Sequence, residues 1–372
     1  MNSKQMGAIF AVAIIAIAAI AGVFIWNENN NSKEDTFKVA YLAKGYYTFH
    51  VAFDQGFYDD LGFKVEPVIV GGSGQDAVNA VLSGNATVAA TGDAPYVNTL
   101  ASKGADNFVG LCMYGETTKA SAGHKWVTTE SCPVKLSPIA GKSATDAEAD
   151  AAAAAIKAYD GTLKMGLVYG STTLTTFMKW CTYYGIGYSQ DASTTEKIQI
   201  KIFETGGDAI SALGSGSIDM LGGSNPIPTN AIEKVKGAYI WGDCKVLGEP
   251  SASILCTTME NYNKYTERME KFLEATYNTN KWISENMDKA VEICQKKSSV
   301  TDAATIKDAL ENAPIEVCWK NVNGALFDAW ALTAKLNGFN DMTADTFKNS
   351  CPVADTINAY KTIRDEIPET KA

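Results

Sequence analysis

Short runs of alternating apolar and polar residues recur through the first third of the chain, and segments with helical spacing lie between them. Ala77, Val78 and Val81 fall on one face of a predicted helix, whereas residues 37–42 have the two-residue period of a strand. The resulting β-α-β-α-β order predicts a mostly parallel sheet with helices on its faces. Strands are predicted over 37–42, 63–70, 86–90 and 108–114, and helices over 50–58, 75–82 and 95–102.

The same rhythm restarts after a looser, alanine-rich connection over 117–160 and gives way to helices beyond residue 257. These last helices carry apolar residues such as Phe272 and Leu273 at core-facing spacing, so we expect them to pack back on the first lobe. The predicted strands are 126–129, 163–169, 198–203, 218–221, 238–241 and 253–257, and the predicted helices are 143–159, 170–184, 208–213, 226–236, 268–286, 290–296, 302–312, 323–336 and 343–349.

One pattern occurs twice, over residues 65–95 and 198–226. Each copy has an apolar-alternating run, two glycines, a short amphipathic helix, a Ser/Gly stop, a second apolar run and a turn ending on proline. Asp76 and Gly84 in the first copy have the same spacing as Asp208 and Gly216 in the second. A repeat used once in each half predicts two similar α/β lobes facing each other across a cleft, with the loops at the strand ends lining it.

Charge and composition narrow the class of partner. The chain has 372 residues, of which 46% are hydrophobic, and its formal net charge is −10. It is long enough for two lobes, and the lack of a basic cluster argues against nucleic acid as a partner. Arg268 and Arg364 are the arginines of the chain, and neither lies in the repeated loops, so we do not expect a bidentate arginine clamp in the cleft.

The N-terminus predicts the compartment. Residues 7–26 carry no charge and, at about 1.5 Å per residue, are long enough to span a bilayer core of ~30 Å. Lys4 on the short side favours the N-terminus inside and the folded part outside. We interpret residues 1–26 as a transmembrane signal anchor and 27–35 as a polar linker; the alternative is a signal peptide cut after a small residue such as Ala21. Either interpretation places the folded part outside the cytoplasm.

Cysteine and histidine offer little support for catalysis. The eight cysteines are even in number without a CxxC pair, which disfavours a zinc ribbon and leaves disulfides and buried thiols as alternatives. His50 and His124 are the two histidines, far apart in sequence and without a nucleophile motif. We interpret both as solvated or packed against helices, and we expect no enzyme activity, cofactor or metal site.

Four segments together resemble the solute-binding proteins of ABC importers, in the branch serving nitrate, taurine and aliphatic sulfonates. They are VAFDQGFYDDLGFKVEPVIV, GQDAVNAVLSGNATVAATGDAPYVN, LKMGLVYGSTT and GDAISALGSGSIDMLGGSNP. The resemblance covers residues 37–286 and implies an α/β, two-lobed periplasmic-binding-protein-like (type II) fold. Its ligand cleft would lie between lobes joined by crossovers near 115–117 and 241–257. The long 117–160 connection departs from the family.

The resemblance implies a first lobe that begins with residues 36–116, a second lobe of 117–257 and a helical part of 258–372 packed on the first. It also implies a monomeric extracytoplasmic receptor that delivers a small-molecule solute to a membrane permease with its ATPase subunit. The alternative is a thiamine-pyrimidine-binding protein, or a pyrimidine-synthase-like enzyme on the same fold. That enzyme would need a reactive cluster of histidine and cysteine.

Uncharged donors dominate the loops that the resemblance assigns to the cleft. Helix N-termini bind anions through unpaired N–H groups, hydroxyls add donors, and glycines let main chain approach a ligand. Lys44 could assist, whereas Asp93 and Glu116 suit an amine, so an aminosulfonate is as plausible as a plain anion; an N-cap role for Asp93 stays open. The candidate ligand-binding residues are Gly45, Tyr46, Tyr47, Thr48, Gly72, Ser73, Gly74, Gln75, Thr91, Gly92, Asp93, Glu116, Tyr169, Ser171, Thr172, Thr173, Ser224 and Asn225.

Overall fold

Two β-sheets organise the part of the chain that the computed structural model describes, residues 36–117, 123–248, 251–311 and 324–352. The anchor and linker predicted over 1–35 lie outside these residues. The strands of the described part are β1 (Phe37–Leu42), β2 (Val65–Val70), β3 (Val88–Gly92), β4 (Phe108–Thr117), β5 (His124–Thr129), β6 (Leu163–Val168), β7 (Tyr188–Ser189), β8 (Ile198–Phe203), β9 (Met220–Ser224), β10 (Ala238–Asp243) and β11 (Ser251–Thr258).

The helices flank these sheets and follow the strands in alternation through most of the chain. Beyond β11 the described elements are all helical. In chain order they are α1 (Tyr47–Gln55), α2 (Gly74–Leu82), α3 (Asp93–Lys103), α4 (Asp146–Ala158), α5 (Thr172–Tyr184), α6 (Gly206–Gly214), α7 (Ile227–Lys234), α8 (Met259–Glu285), α9 (Met287–Lys297), α10 (Ala303–Glu311), α11 (Gly324–Leu336) and α12 (Ala344–Lys348).

The two sheets share one topology. The sheet of lobe I has the order β2-β1-β3-β11-β4, and that of lobe II has the order β10-β5-β9-β6-β8-β7. In each lobe three parallel strands are followed by an antiparallel one, β11 in lobe I and β5 in lobe II, and lobe II adds the short β7 as a fourth parallel strand. Both antiparallel strands come directly after a crossover from the other lobe, so β8-β6-β9-β5-β10 matches β2-β1-β3-β11-β4. The repeated sequence pattern therefore corresponds to a repeated fold. Residues 251–257, predicted in the second lobe, lie in the sheet of lobe I.

Helix capping explains the repeated spacing of aspartate and glycine. Ser73 caps α2, and the Asp76 carboxylate accepts the Ser73 N–H at 2.9 Å to complete a capping box. Asp208 is likewise the third residue after the N-cap of α6, and its N–H donates to the hydroxyl of the threonine that caps this helix. Gly84 and Gly216 follow the two helices with φ of 76° and 72°, a left-handed conformation that favours glycine.

Several helices begin earlier than the sequence predicts, among them α1, α3 and α8. α1 starts directly after Tyr46, whose left-handed backbone (φ 54°, ψ 37°) forms the turn into the helix. α3 starts at Asp93, with Pro95 inside its first turn, where a missing N–H costs no hydrogen bond. α8 starts at Met259 and contains a non-helical residue, Tyr265, at a kink.

Each lobe has its own core. In lobe I, α8 and α11 pack on the sheet: Phe272 lies 5.1 Å from Phe37 between ring centroids, and Trp330 lies 5.4 Å from Tyr96. Lobe I is therefore built from both ends of the described chain. Lobe II buries a chain of aromatic rings in which Trp180 contacts a phenylalanine, a tyrosine and another tryptophan.

The 117–160 connection contributes to lobe II. Its strand β5 lies between β9 and β10, and α4 packs on β10. The Asp243 carboxylate, only 1% exposed, accepts the N–H groups of Ala144 at 2.8 Å and Lys245 at 3.0 Å. These bonds tie the connection to the end of β10, where the chain leaves for lobe I.

Cys132, Cys181, Cys256 and Cys294 are free thiols in the structure, which decides the alternative for these four in favour of thiols over disulfides. Cys318 lies outside the described residues. Within the described ranges no helix has both the length and the apolar character needed to cross a bilayer.

Candidate functional site

Six helices begin at the carboxyl ends of parallel strands, where α/β sheets bind ligands. α1, α2 and α3 follow β1, β2 and β3 in lobe I, and α5, α6 and α7 follow β6, β8 and β9 in lobe II. Most of the predicted ligand-binding residues lie in these connections. Their unpaired N–H groups make both edges suitable for anionic or polar groups.

Tyr46 brings its side chain from α1 to the starts of α2 and α3. Its hydroxyl lies 3.3 Å from the point where a Cβ on Gly74 would stand, beside the Thr91 hydroxyl and the Gly92 N–H. Burial raises the pKa of Tyr46, an effect that nearby Asp93 reinforces. Among the described residues, Tyr46 is also the one non-glycine residue whose backbone has a positive φ. Such strained backbone is often concentrated at functional sites.

Thr91 and Asp93 flank the main-chain turn from β3 into α3. The Thr91 side chain is fully buried, and its hydroxyl approaches Tyr46 without forming a hydrogen bond of ordinary geometry. A buried hydroxyl without a partner has a free-energy cost, which makes it a candidate for contact with a ligand. Asp93, 7% exposed, accepts the Ala94 N–H at 2.9 Å; it is the first residue of α3, and the N-cap is Gly92.

Three hydroxyl residues open α5 on the lobe II side. Ser171 caps the helix: its Oγ accepts the Leu174 N–H at 3.3 Å and donates to the Val168 carbonyl at 2.8 Å, so this hydroxyl is used within the lobe. Thr172 reaches toward lobe I. Its Oγ1 lies 2.6 Å from the point where a Cβ on Gly92 would stand. The N-termini of α3 and α5 therefore face each other at close range.

A second contact places a glycine of lobe II against side chains of lobe I. A Cβ on Gly170 of lobe II would lie 2.9 Å from Gln75 Cβ and 3.6 Å from Ser73 Oγ in lobe I. Gly72 of lobe I lies against the Glu204 carbonyl, at 3.7 Å from its notional Cβ. Glycines on both lobes thus leave room for the opposing loops, and the lobes meet at the predicted ligand loops.

Charged groups at this contact are mainly acidic. Burial raises the pKa of the Asp76 carboxyl, and Glu204 adds to the rise. Tyr169, half-buried at the end of β6, has its pKa raised by burial and then by these two carboxylates. Lys44, in the loop after β1, has its pKa lowered by burial. Arg268 stacks on Phe63 and Tyr265 in lobe I. The described residues contain no cluster of side chains that could hold a metal ion.

Several predicted residues have other environments. Tyr47 packs in an apolar cluster with α9 and α10, and the Thr48 hydroxyl donates to Asn280 Oδ1 at 2.6 Å in α8. Asn225 is exposed and accepts from Thr229 Oγ1 at 3.1 Å. Gly45 has a φ of 69° with open space around it, and Glu116 pairs with Ala252 between β4 and β11. Ser224 ends β9 at the same edge as the other loops.

His124 belongs to this edge, although its sequence context gave no reason to include it. It begins β5 opposite Ser224, and its Nδ1 lies 2.8 Å from Thr173 Oγ1 in the first turn of α5. Burial lowers its pKa to about 4, so the ring is neutral at pH 7. The available signal was its position just before the strand predicted over 126–129.

No family model matches the chain, and no curated protein matches it in sequence. Among solved structures it is similar to the periplasmic aliphatic sulphonate-binding protein of Escherichia coli, with 18% identity over 84% of this chain and 89% of that one and a TM-score of 0.61. The periplasmic nitrate-binding protein of Synechocystis PCC 6803 shows 14% identity, coverage of 91% and 92%, and a TM-score of 0.62. The ligand-binding component of an ABC-type import system from Staphylococcus aureus shows 11%, coverage of 84% and 95%, and 0.60. The fold is thus the two-lobed periplasmic-binding-protein fold, as predicted.

Proposed function

We propose that this chain is the solute-binding receptor of an ABC importer. It captures a small oxyanionic or zwitterionic solute between its lobes and delivers it to a permease and its ATPase subunit. The observation that carries the proposal is the reciprocal contact of glycine loops, Gly92 with Thr172 and Gly170 with Gln75, at the edge where six helices begin. Lobes that fit this closely at their ligand loops can bury a small solute and give the permease one closed shape to recognise.

The donors at the contact support the proposed solute class. Helix N-termini, Thr172 and the buried Thr91 hydroxyl offer neutral hydrogen bonds, which suit sulfonate or nitrate oxygens. Asp93 offers a carboxylate for an ammonium group, so taurine fits as well as a plain alkanesulfonate. Sulphonate and nitrate appear in the names of two structural neighbours, which supports this class.

An enzyme of pyrimidine synthesis on the same fold is less well supported. A cysteine nucleophile needs a lowered pKa and access to substrate. Burial instead raises the pKa of Cys294 to about 12 and raises that of Cys181 and Cys256. A receptor for a pyrimidine would share the cleft and is separated by the binding experiment below.

We further propose that residues 1–26 tether the receptor to the membrane, with 27–35 as its linker and the folded part outside the cytoplasm. The uncharged stretch over 7–26 supports this arrangement. On this proposal the tether keeps the receptor, as a monomer, near its permease. Fractionation of the full-length chain, with release tested at high salt and in detergent, distinguishes an anchor from a cleaved signal peptide.

A thermal-shift screen tests the proposed function. The folded part is titrated with taurine, methanesulfonate, nitrate, bicarbonate and a hydroxymethylpyrimidine. A solute present at about 100 times its dissociation constant stabilises the folded state by roughly 2.7 kcal/mol, which appears as a higher melting temperature. Stabilisation by a sulfonate or nitrate supports the proposal. A response to the pyrimidine alone favours the alternative, and no response to any of them contradicts the proposed solute class.

A further inference from the structure

His124 lies where three elements of lobe II meet at the ligand edge. It pairs with Ser224, so it stands at the carboxyl end of β9, and its carbonyl accepts the Cys244 N–H at 3.1 Å beyond the end of β10. Its side chain turns toward α5, where Nδ1 meets Thr173 Oγ1 at 2.8 Å. The main chain and one ring nitrogen thus hold the imidazole in a defined orientation.

Hydrogen-bond satisfaction assigns the tautomer of this ring. Thr173 is 4% exposed, and its hydroxyl has no other hydrogen-bonding partner among the described residues. If Nδ1 carried the proton, the proton of the buried Thr173 hydroxyl would have no acceptor, which is unfavourable. Thr173 therefore donates to Nδ1. Because the ring is neutral, its proton is on Nε2.

Nε2 is the nitrogen that the protein leaves available. No group in the described ranges forms a hydrogen bond with it, and it is not sealed from the surface. His50 differs: its Nε2 is fully buried, and its ring packs against Tyr41 in the core of lobe I. The two histidines share a neutral state but differ in access.

We propose that His124 donates a hydrogen bond from Nε2 to an oxygen of the bound solute and so makes lobe II selective for oxygen acceptors. This inference rests on the proposed function of the cleft. Thr173 has a positioning role, because its hydroxyl holds the proton on the nitrogen that faces the solute. A group that can only donate, such as an ammonium, is rejected at this point and must bind toward Asp93 in lobe I.

Two substitutions of His124 separate contact from structure. A glutamine amide can place an N–H near the position of Nε2, whereas an asparagine amide reaches only the position of Nδ1. His124→Gln is therefore expected to bind the probe, methanesulfonate, within a few-fold of wild type. His124→Asn is expected to bind roughly ten- to a hundredfold more weakly. Equal affinity of His124→Asn and wild type would overturn the inference, as would weaker binding by His124→Gln than by His124→Asn.

NMR of ring nitrogens gives an independent readout, because the chain has two histidines. His50→Gln assigns the two rings. Methanesulfonate is expected to shift the Nε2 signal of His124 and to leave that of His50 unchanged, and an Nδ1-protonated His124 would contradict the tautomer. If methanesulfonate, taurine and nitrate all fail to bind wild type, the proposed function and this inference both fall. If wild type binds and the His124 signals stay still, only this inference falls.

Discussion

Adding one methyl group at Gly92 tests whether the lobes close on the contact seen here. Gly92 has φ of −82° and ψ of 175°, ordinary extended backbone that alanine adopts without strain. The new Cβ would lie 2.6 Å from Thr172 Oγ1 of lobe II. Either Thr172 leaves its rotamer or the lobes stay further apart. The substitution therefore acts on closure and leaves each lobe intact.

The expected loss of affinity follows from the free-energy cost of overpacking, about 1–3 kcal/mol, because this cost destabilises only the closed state. Affinity for a solute bound by the closed form should fall roughly 5- to 150-fold. The unliganded protein should not lose stability, since replacing glycine by alanine removes about 0.4–1 kcal/mol of unfolded-state entropy. Gly71→Ala is the matched control: it lies in a neighbouring ligand loop, outside the left-handed region, with no atom within 4 Å of its Cβ.

Isothermal titration with the strongest sulfonate or nitrate probe measures the effect, together with the melting temperature without probe. Thr172→Ala removes the clashing atom, so the double variant with Gly92→Ala should bind much like Thr172→Ala alone. The reasoning is refuted if Gly92→Ala binds as tightly as Gly71→Ala. It is also refuted if the loss of affinity persists in the double variant.

Three further predictions concern buried polar groups. Thr91→Val should leave the unliganded protein as stable or more stable by up to about 1 kcal/mol, yet weaken probe binding about tenfold, because the hydroxyl gains its partner only from solute; a clear loss of unliganded stability in urea unfolding would argue for a protein partner. The pKa of His50 is lowered from 6.5 to about 4 in the folded protein, so this histidine binds more protons in the unfolded state. The free energy of unfolding should therefore fall by about 3 kcal/mol through His50 as the pH drops from 7 to 4. In His50→Gln the free energy of unfolding should depend less steeply on pH. Lys179→Met should increase the rate of amide hydrogen exchange in α11, because Lys179 Nζ donates a hydrogen bond across the lobes to the Ala329 carbonyl at 2.9 Å. An unchanged exchange rate would mean that this bond does not hold α11 against α5.

The parts of the fold that local chemistry determines were accessible from sequence. The spacing of Asp76 and Gly84 reflects a capping box at one end of α2 and a left-handed glycine after the other, and both devices act within a single helix. A hydroxyl N-cap with aspartate at the third position, and a left-handed glycine after the helix, recur around α6. The repeat therefore predicted two lobes of one topology. The position of the candidate site at one edge of the sheets could also be predicted, because the loops after parallel strands lie on the same side of a sheet.

Residues treated as one block in sequence separate in space. Tyr46, Tyr47 and Thr48 were predicted together, but successive residues entering a helix point about 100° apart. Tyr46 therefore faces α2 and α3, whereas Tyr47 packs toward α9 and Thr48 bonds to α8. A pattern of residue types gives the place of a loop but not the direction of each side chain, which depends here on a left-handed residue that no propensity predicts.

Contacts between the lobes were beyond sequence reasoning for a different reason. Thr172 opposite Gly92 and Gln75 opposite Gly170 pair residues from separate halves, and their distances depend on how both crossovers set the lobes. His124 was missed in the same way. The role proposed for it depends on Thr173 on another element, and a lone histidine beside a predicted strand gives no sign of that partner.

In the proposed receptor, closure of the lobes and recognition of the solute are one event, because the candidate donors are mostly uncharged. A hydroxyl or main-chain N–H exposed to water gains little by exchanging water for solute, since the net value of a neutral hydrogen bond is about 0.5–1.5 kcal/mol. The same donor is worth more once water is excluded and the local dielectric falls. An arginine clamp would hold an anion on an open lobe, but the proposed donors Thr91, Thr172 and His124 Nε2 would bind well only after the lobes meet. On this proposal, we expect the glycines that allow the lobes to approach to matter as much for affinity as the groups that contact the solute.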